Sequence, residues 1–135
     1  FAHTPDGLLN LLSAAREFTP GKIIVVFGCG GDRDRFKRPV MGQIAEKYAD
    51  WKIVTSDNPR TEDPAAILND IVAGMKKDDG LLVIEDRREA IRKALSLAEE
   101  GDTVLIAGKG HEEYQTIGLE KYPFNERAII WDLLK

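Results

Sequence analysis

At 135 residues, with 43% hydrophobic and 31% charged side chains, the chain has the size and balance of one globular domain with one sizeable core. A net charge of -4 argues against the clustered basic face of a nucleic-acid surface, and no stretch approaches the roughly 18 apolar residues of a membrane span. The single cysteine, Cys29, excludes an internal disulfide, and no secretory pattern opens the chain, so the expected location is cytoplasmic.

Phe1-Ala2-His3-Thr4-Pro5 carries no initiator methionine and runs almost directly into a helix, so the chain is expected to be a domain of a longer protein. Thr4 is a good N-cap, Pro5 suits the first helical position, and Leu8, Leu9, Leu11, Leu12 and Ala15 give an apolar face ending near Phe18. Lys22 to Gly28, KIIVVFG, is a continuous β-branched run of the kind buried on both faces of a parallel sheet. A loop rich in glycine and charge follows, Cys29 to Arg38, and Pro39 is expected to open a helix containing Val40, Met41, Ile44, Ala45 and Tyr48.

Trp51 to Thr55 reads as a second strand running into the loop Ser56-Asp57-Asn58-Pro59-Arg60-Thr61. Asp63-Pro64 repeats the cap-plus-proline signal for a helix through Met75. Leu81 to Glu85 is a third strand, Arg87 to Glu99 a third crossover helix, and Thr103 to Ala107 a fourth strand followed by the loop Gly108 to Gln115. Thr116 to Pro123 suggests an edge strand or hairpin, and Asn125 caps a last helix through Leu134. Strand, loop and helix alternate with short turns throughout. That pattern predicts a single α/β domain, 1–135, with a doubly wound, mostly parallel Rossmann-like sheet and helices on both faces.

Ligands of such sheets sit beyond the carboxyl ends of the strands, where the strand order switches. Three polar loops leave those ends: 28–38, 56–61 and 108–115. The first resembles a dinucleotide fingerprint but puts Arg33 where the third glycine of G-x-G-x-x-G would fall, which disfavours an oxidoreductase. No G-x-x-x-x-G-K-[ST] occurs, so Lys109 is not a phosphate-loop lysine, and with His3 and His111 the only histidines a zinc site is not expected. The mixed run Arg33, Arg35, Lys37 and Arg38 with Asp32 and Asp34 suits a small anionic ligand. Arg33 and Arg60 can fork onto carboxylates, Asn58 can donate and accept, and Glu112 can accept from an ammonium group. Together they read as a pocket for an amino acid with more than one carboxylate.

These same residues carry a resemblance. The landmarks Ala2-His3-Thr4-Pro5-Asp6, Phe27 to Asp34, Lys37-Arg38-Pro39, Thr55 to Thr61 and Gly108-Lys109-Gly110-His111-Glu112 make the chain similar to the C-terminal domain of the Mur ligases, over essentially its whole length. Asp57-Asn58-Pro59-Arg60 resembles the signature of the branch that adds meso-diaminopimelate. The resemblance implies one domain of a three-domain, ATP-dependent amide-bond ligase of peptidoglycan synthesis, acting on a UDP-N-acetylmuramoyl dipeptide. It implies that Arg33, Asn58, Arg60, Gly108 and Glu112 hold diaminopimelate, that Asp57 and Pro59 shape the motif, and that His3 approaches the nucleotide. ATP and Mg2+ would be bound mainly by a central domain outside this chain, so the 135 residues alone are expected to be inactive, with no catalytic or metal residue of their own. The competing expectation is a free-standing α/β module that binds an acidic amino acid.

Overall fold

The computed structural model describes residues 4–109 and 114–134. Four strands, β1 (Ile23–Phe27), β2 (Trp51–Val54), β3 (Leu81–Val83) and β4 (Thr103–Ile106), form one parallel sheet in the order β3-β2-β1-β4. Central β1 pairs with both neighbours, Ile24 lying opposite Trp51 on one side and Val104 on the other. All five of its residues are buried, as its unbroken apolar run requires of a strand covered on both faces.

The alternation of β1 divides the core in two. Ile23, Val25 and Phe27 join α1 (Pro5–Phe18), α2 (Lys37–Tyr48) and α3 (Pro64–Val72) on one face. Ile24 and Val26 pack with Ile53, Ala90, Ile91 and Ala94 on the other, under α4 (Arg87–Leu97) and α5 (Glu126–Leu134). The helix starts follow the cap signals: Thr4 Oγ1 accepts from Gly7 N, Asp63 Oδ1 from Ala65 N, Asp86 Oδ1 from Glu89 N and Asn125 Oδ1 from Ala128 N, all at 3.0–3.1 Å.

Helix α3 stops at Val72 and not Met75, β3 at Val83 and not Glu85, and α4 at Leu97 and not Glu99; the start of α2 and the place of the last strands differ as well. Helix α2 opens at Lys37, two residues before Pro39, because Asp34 Oδ1 takes the Phe36 amide and turns the chain early. The last strands, β5 (Tyr114–Ile117) and β6 (Glu120–Pro123), form an antiparallel hairpin of their own and do not extend the main sheet's edge. A β-bridge between Arg60 and Ile117, with backbone hydrogen bonds from Arg60 N to Thr116 O and from Gly118 N to Arg60 O, joins the hairpin to the body.

Candidate amino-acid-binding site

Strands β2 and β3 lie to one side of β1 and β4 to the other, so the chain reverses its winding direction between β1 and β4. The loops leaving these strands diverge there and leave a hollow at the carboxyl edge of the sheet. A cavity of about 370 Å3 occupies that place, lined by Gly28, Cys29, Gly30, Arg33, Lys37, Asp57, Asn58, Arg60 and Tyr114. Arg33, Asp57, Asn58 and Arg60, four of the residues expected from sequence, therefore share one hollow.

The first two loops are fastened to each other before any ligand arrives. Gly31 N donates to Asn58 O at 2.7 Å, and a Cβ on Gly31 would lie 1.8 Å from Pro59 O, so only glycine permits this approach. Thr61 Oγ1 donates to Asp32 Oδ2 at 2.7 Å, and Arg60 Nη1 donates to Gly31 O at 3.0 Å. Arg60 is itself held at φ 55, the left-handed region. Its Nη1 braces the loop, while the Nε–Nη2 edge of the fork makes no hydrogen bond among the described residues.

The run of basic residues does not act as one anion-binding cluster. Arg38 is fully buried and grips both oxygens of Glu62, at 2.5 and 2.8 Å, together with Asp70 at 3.0 Å and Gly30 O at 3.0 Å. Arg35 turns to Asp70. Only Arg33 and Lys37 of the four face the cavity. The reason is helical phase, since Arg38 shares the inward face of α2 with Met41, Gly42 and Ala45. Hydrogen bonding from the Arg38 guanidinium drives the Glu62 carboxyl down to about 2, and Arg35, followed by Arg38, lowers that of Asp70. Burial pushes the Cys29 thiol up to about 11, which leaves it a packing group beside Met41 and not a nucleophile.

Beneath the cavity lies a residue whose role the sequence did not reveal. Lys109 is fully buried, with Nζ 3.0 Å from Asp57 Oδ1, 3.0 Å from Asn58 Oδ1 and 3.1 Å from Tyr114 O. The Asp57 contact is ionic, because its angle does not meet that of a hydrogen bond. Asn58 Oδ1 also accepts from Thr116 N at 2.8 Å, so its carbonyl, expected to be available to a ligand, is already engaged. Gly108 lies outside the lining, and its φ of 112 is what turns the following lysine inward. Pro59 likewise does not line this cavity. It borders a larger hollow of about 650 Å3 between the β2 loop, the hairpin and α5, which is lined by no other predicted site residue among the described residues. His3, His111 and Glu112 lie outside the described residues.

A second buried arginine, also silent in the sequence, stiffens the edge from the other face. Arg87 pairs with Glu126 at 2.5 Å and donates to Ser56 O at 3.2 Å and Ala107 O at 2.9 Å. It thereby ties the ends of β2 and β4, the two strands flanking β1.

A parallel sheet with an arginine-bearing, glycine-walled hollow at its switch point defines an α/β domain with a candidate ligand site at the carboxyl edge of its strands. Comparison with known proteins narrows that class. The family model described as "Mur ligase, glutamate ligase domain" matches residues 1–110, and the chain belongs to that family. Over all 135 residues it is 53% identical to the UDP-N-acetylmuramoyl-L-alanyl-D-glutamate–2,6-diaminopimelate ligase of Clostridium botulinum. Its identity to the ligase of the same name from Thermosynechococcus vestitus is 58% over the same span. The chain covers 28% and 27% of those two proteins. A solved structure of a ligase with this name superimposes with a TM-score of 0.94 at 44% identity, over 99% of this chain and 28% of that one.

Proposed function

We propose that the chain is the diaminopimelate-holding domain of a ligase that joins meso-diaminopimelate to a UDP-N-acetylmuramoyl dipeptide in peptidoglycan synthesis, in the cytoplasm. The observation that carries this reading is the gathering of Arg33, Asn58 and Arg60 around one 370 Å3 hollow. The names of the relatives covering the whole chain support it. In such a reaction the γ-carboxylate of the D-glutamate is activated by ATP as an acyl phosphate. The diaminopimelate amine then displaces phosphate to form the amide. The work of this domain is to hold that amine donor by its remote end.

The Nε–Nη2 edge of Arg60 has the geometry to take one carboxylate bidentately, with Arg33 beside it across the cavity. In this reading Gly108 and Glu112 complete the pocket, and His3 approaches the nucleotide. No group of three His, Cys, Asp or Glu side chains gathers into a metal site among the described residues. In this reading ATP and Mg2+ are held mainly by the rest of the ligase.

The test is steady-state kinetics on the full-length ligase containing this chain, with meso-diaminopimelate or L-lysine as the amine. Lysine lacks the second carboxylate and would leave a guanidinium unpaired, so its kcat/KM should be lower by roughly 10- to 100-fold. Equal use of the two amines would overturn the assignment.

A further inference from the structure

Arg33 and Arg60 reach the cavity from different loops, and the residues beside them in the chain are bonded to each other. Asp32 precedes Arg33, and Thr61 follows Arg60. Thr61 Oγ1 lies 2.9 and 2.7 Å from the two carboxylate oxygens of Asp32, and Thr61 N donates to Oδ2 at 3.2 Å. Neither residue lines the cavity. Hydrogen bonds to an ionised carboxylate are stronger than those between neutral groups, so this clasp can hold two exposed segments in register.

The backbone shows what the clasp restrains. Among the described residues, Asp32 and Arg60 are the two non-glycine residues at positive φ, both at 55, one on each side of the clasp. Asp tolerates this region, but for arginine it is unfavourable, and such a conformation persists only where its surroundings over-determine it. The hairpin holds Arg60 through its own N and O, and the clasp holds the next residue. Asp32 is fastened in turn. Its amide donates to Glu62 Oε1 at 3.1 Å, an oxygen that buried Arg38 also grips, and its carbonyl accepts from Arg33 Nη1 at 3.2 Å. Restraint therefore runs from the buried Arg38 through Asp32 to both arginines of the cavity.

We propose that Asp32 is a positioning residue for amino-acid recognition: its carboxylate, clasped to Thr61, fixes the spacing of Arg33 and Arg60 so that both guanidinium groups are in place before the ligand arrives. Ordering them in advance removes that cost from binding. This inference rests on the functional reading above and adds to it a pair of residues that do not themselves meet the substrate.

The test uses the full-length ligase, with the KM measured separately for meso-diaminopimelate, ATP and the UDP-linked dipeptide. Thr61→Val keeps the shape and deletes the hydroxyl, Thr61→Ser keeps the hydroxyl, and Asp32→Gly accepts the positive φ while deleting the carboxylate. Thr61→Val should raise the diaminopimelate KM about fivefold and Asp32→Gly about tenfold or more, with the other two KM values within about twofold. Thr61→Ser should stay within about twofold of wild type for all three. Once the carboxylate is gone the hydroxyl has nothing to hold, so the double variant Asp32→Gly/Thr61→Val should match Asp32→Gly within about twofold.

A folded Thr61→Val enzyme with an unchanged diaminopimelate KM would overturn the positioning role, as would one whose three KM values rise alike. So would a double variant whose KM rises by the product of the two single effects, which is the result expected if each side chain met the ligand on its own account. Should Asp32→Gly not fold, Thr61→Val against Thr61→Ser decides the matter, equal impairment of the two counting against the clasp. A wild-type enzyme whose rate is indifferent to diaminopimelate would instead sink the functional reading itself.

Discussion

At the scale of single residues, the site is built from side chains whose polar edges are divided between structure and ligand. Arg60 is the plainest case: Nη1 is bonded to the Gly31 carbonyl, the opposite edge of the same plane makes no hydrogen bond among the described residues, and the residue lines the cavity. Lysine at this position offers a point charge that cannot brace the loop and fork onto a carboxylate together. Arg60→Lys in the full-length ligase should raise the diaminopimelate KM by roughly 10- to 100-fold and leave the ATP KM within about twofold, read from steady-state rates. Asn58 and Arg60 were legible in the sequence because a proline between them and a strand before them fix where their loop must lie. Lys109 was not legible, because its inward turn depends on the φ of 112 at Gly108, and a lysine between two glycines carries no mark of burial. Arg38 could have been separated from Arg33 and Arg35 by its phase with Met41, Gly42 and Ala45, had the helix been started at Lys37.

At the scale of elements, the carboxyl edge of the sheet is held by two buried arginines, one on each face. Arg38 at the start of α2 fastens the loop after β1 to Glu62 and Asp70. Glu62 ionises at about 2 in the folded protein against an ordinary 4.5, so the unfolded chain binds the extra proton between those values. The stability this pair contributes is complete above the ordinary value and is lost as pH falls toward the folded one. Glu62→Gln should therefore lower the thermal midpoint at pH 7 and flatten its decline between about pH 4.5 and 2.5, followed by calorimetry across that range. On the opposite face, Arg87 in α4 joins Glu126 in α5 and the ends of β2 and β4. Arg87→Met strands a buried carboxylate and two carbonyls, and should cost about 3–5 kcal/mol in urea-unfolding free energy. Strands and crossover helices were legible from apolar runs and caps. The hairpin's separation from the main sheet was not, since short strands look alike whether they extend a sheet or stand apart from it.

At the scale of the whole molecule, the order β3-β2-β1-β4 gives the sheet two unlike edges. Every residue argued to meet the ligand leaves the carboxyl ends of the strands, whereas the amino ends carry turns such as the exposed segment Lys76–Asp79. A flexible insertion of about six residues in that turn should leave the diaminopimelate KM within about twofold, because long surface loops cost little closure entropy. The same insertion between Gly30 and Gly31 should abolish saturation, and comparing the two kinetically checks the division. The parallel sheet thus behaves like a tool with a handle and a blade. Fluorophores, affinity tags or surface tethers attached at the handle would report on or immobilise the domain with its cutting side left clear.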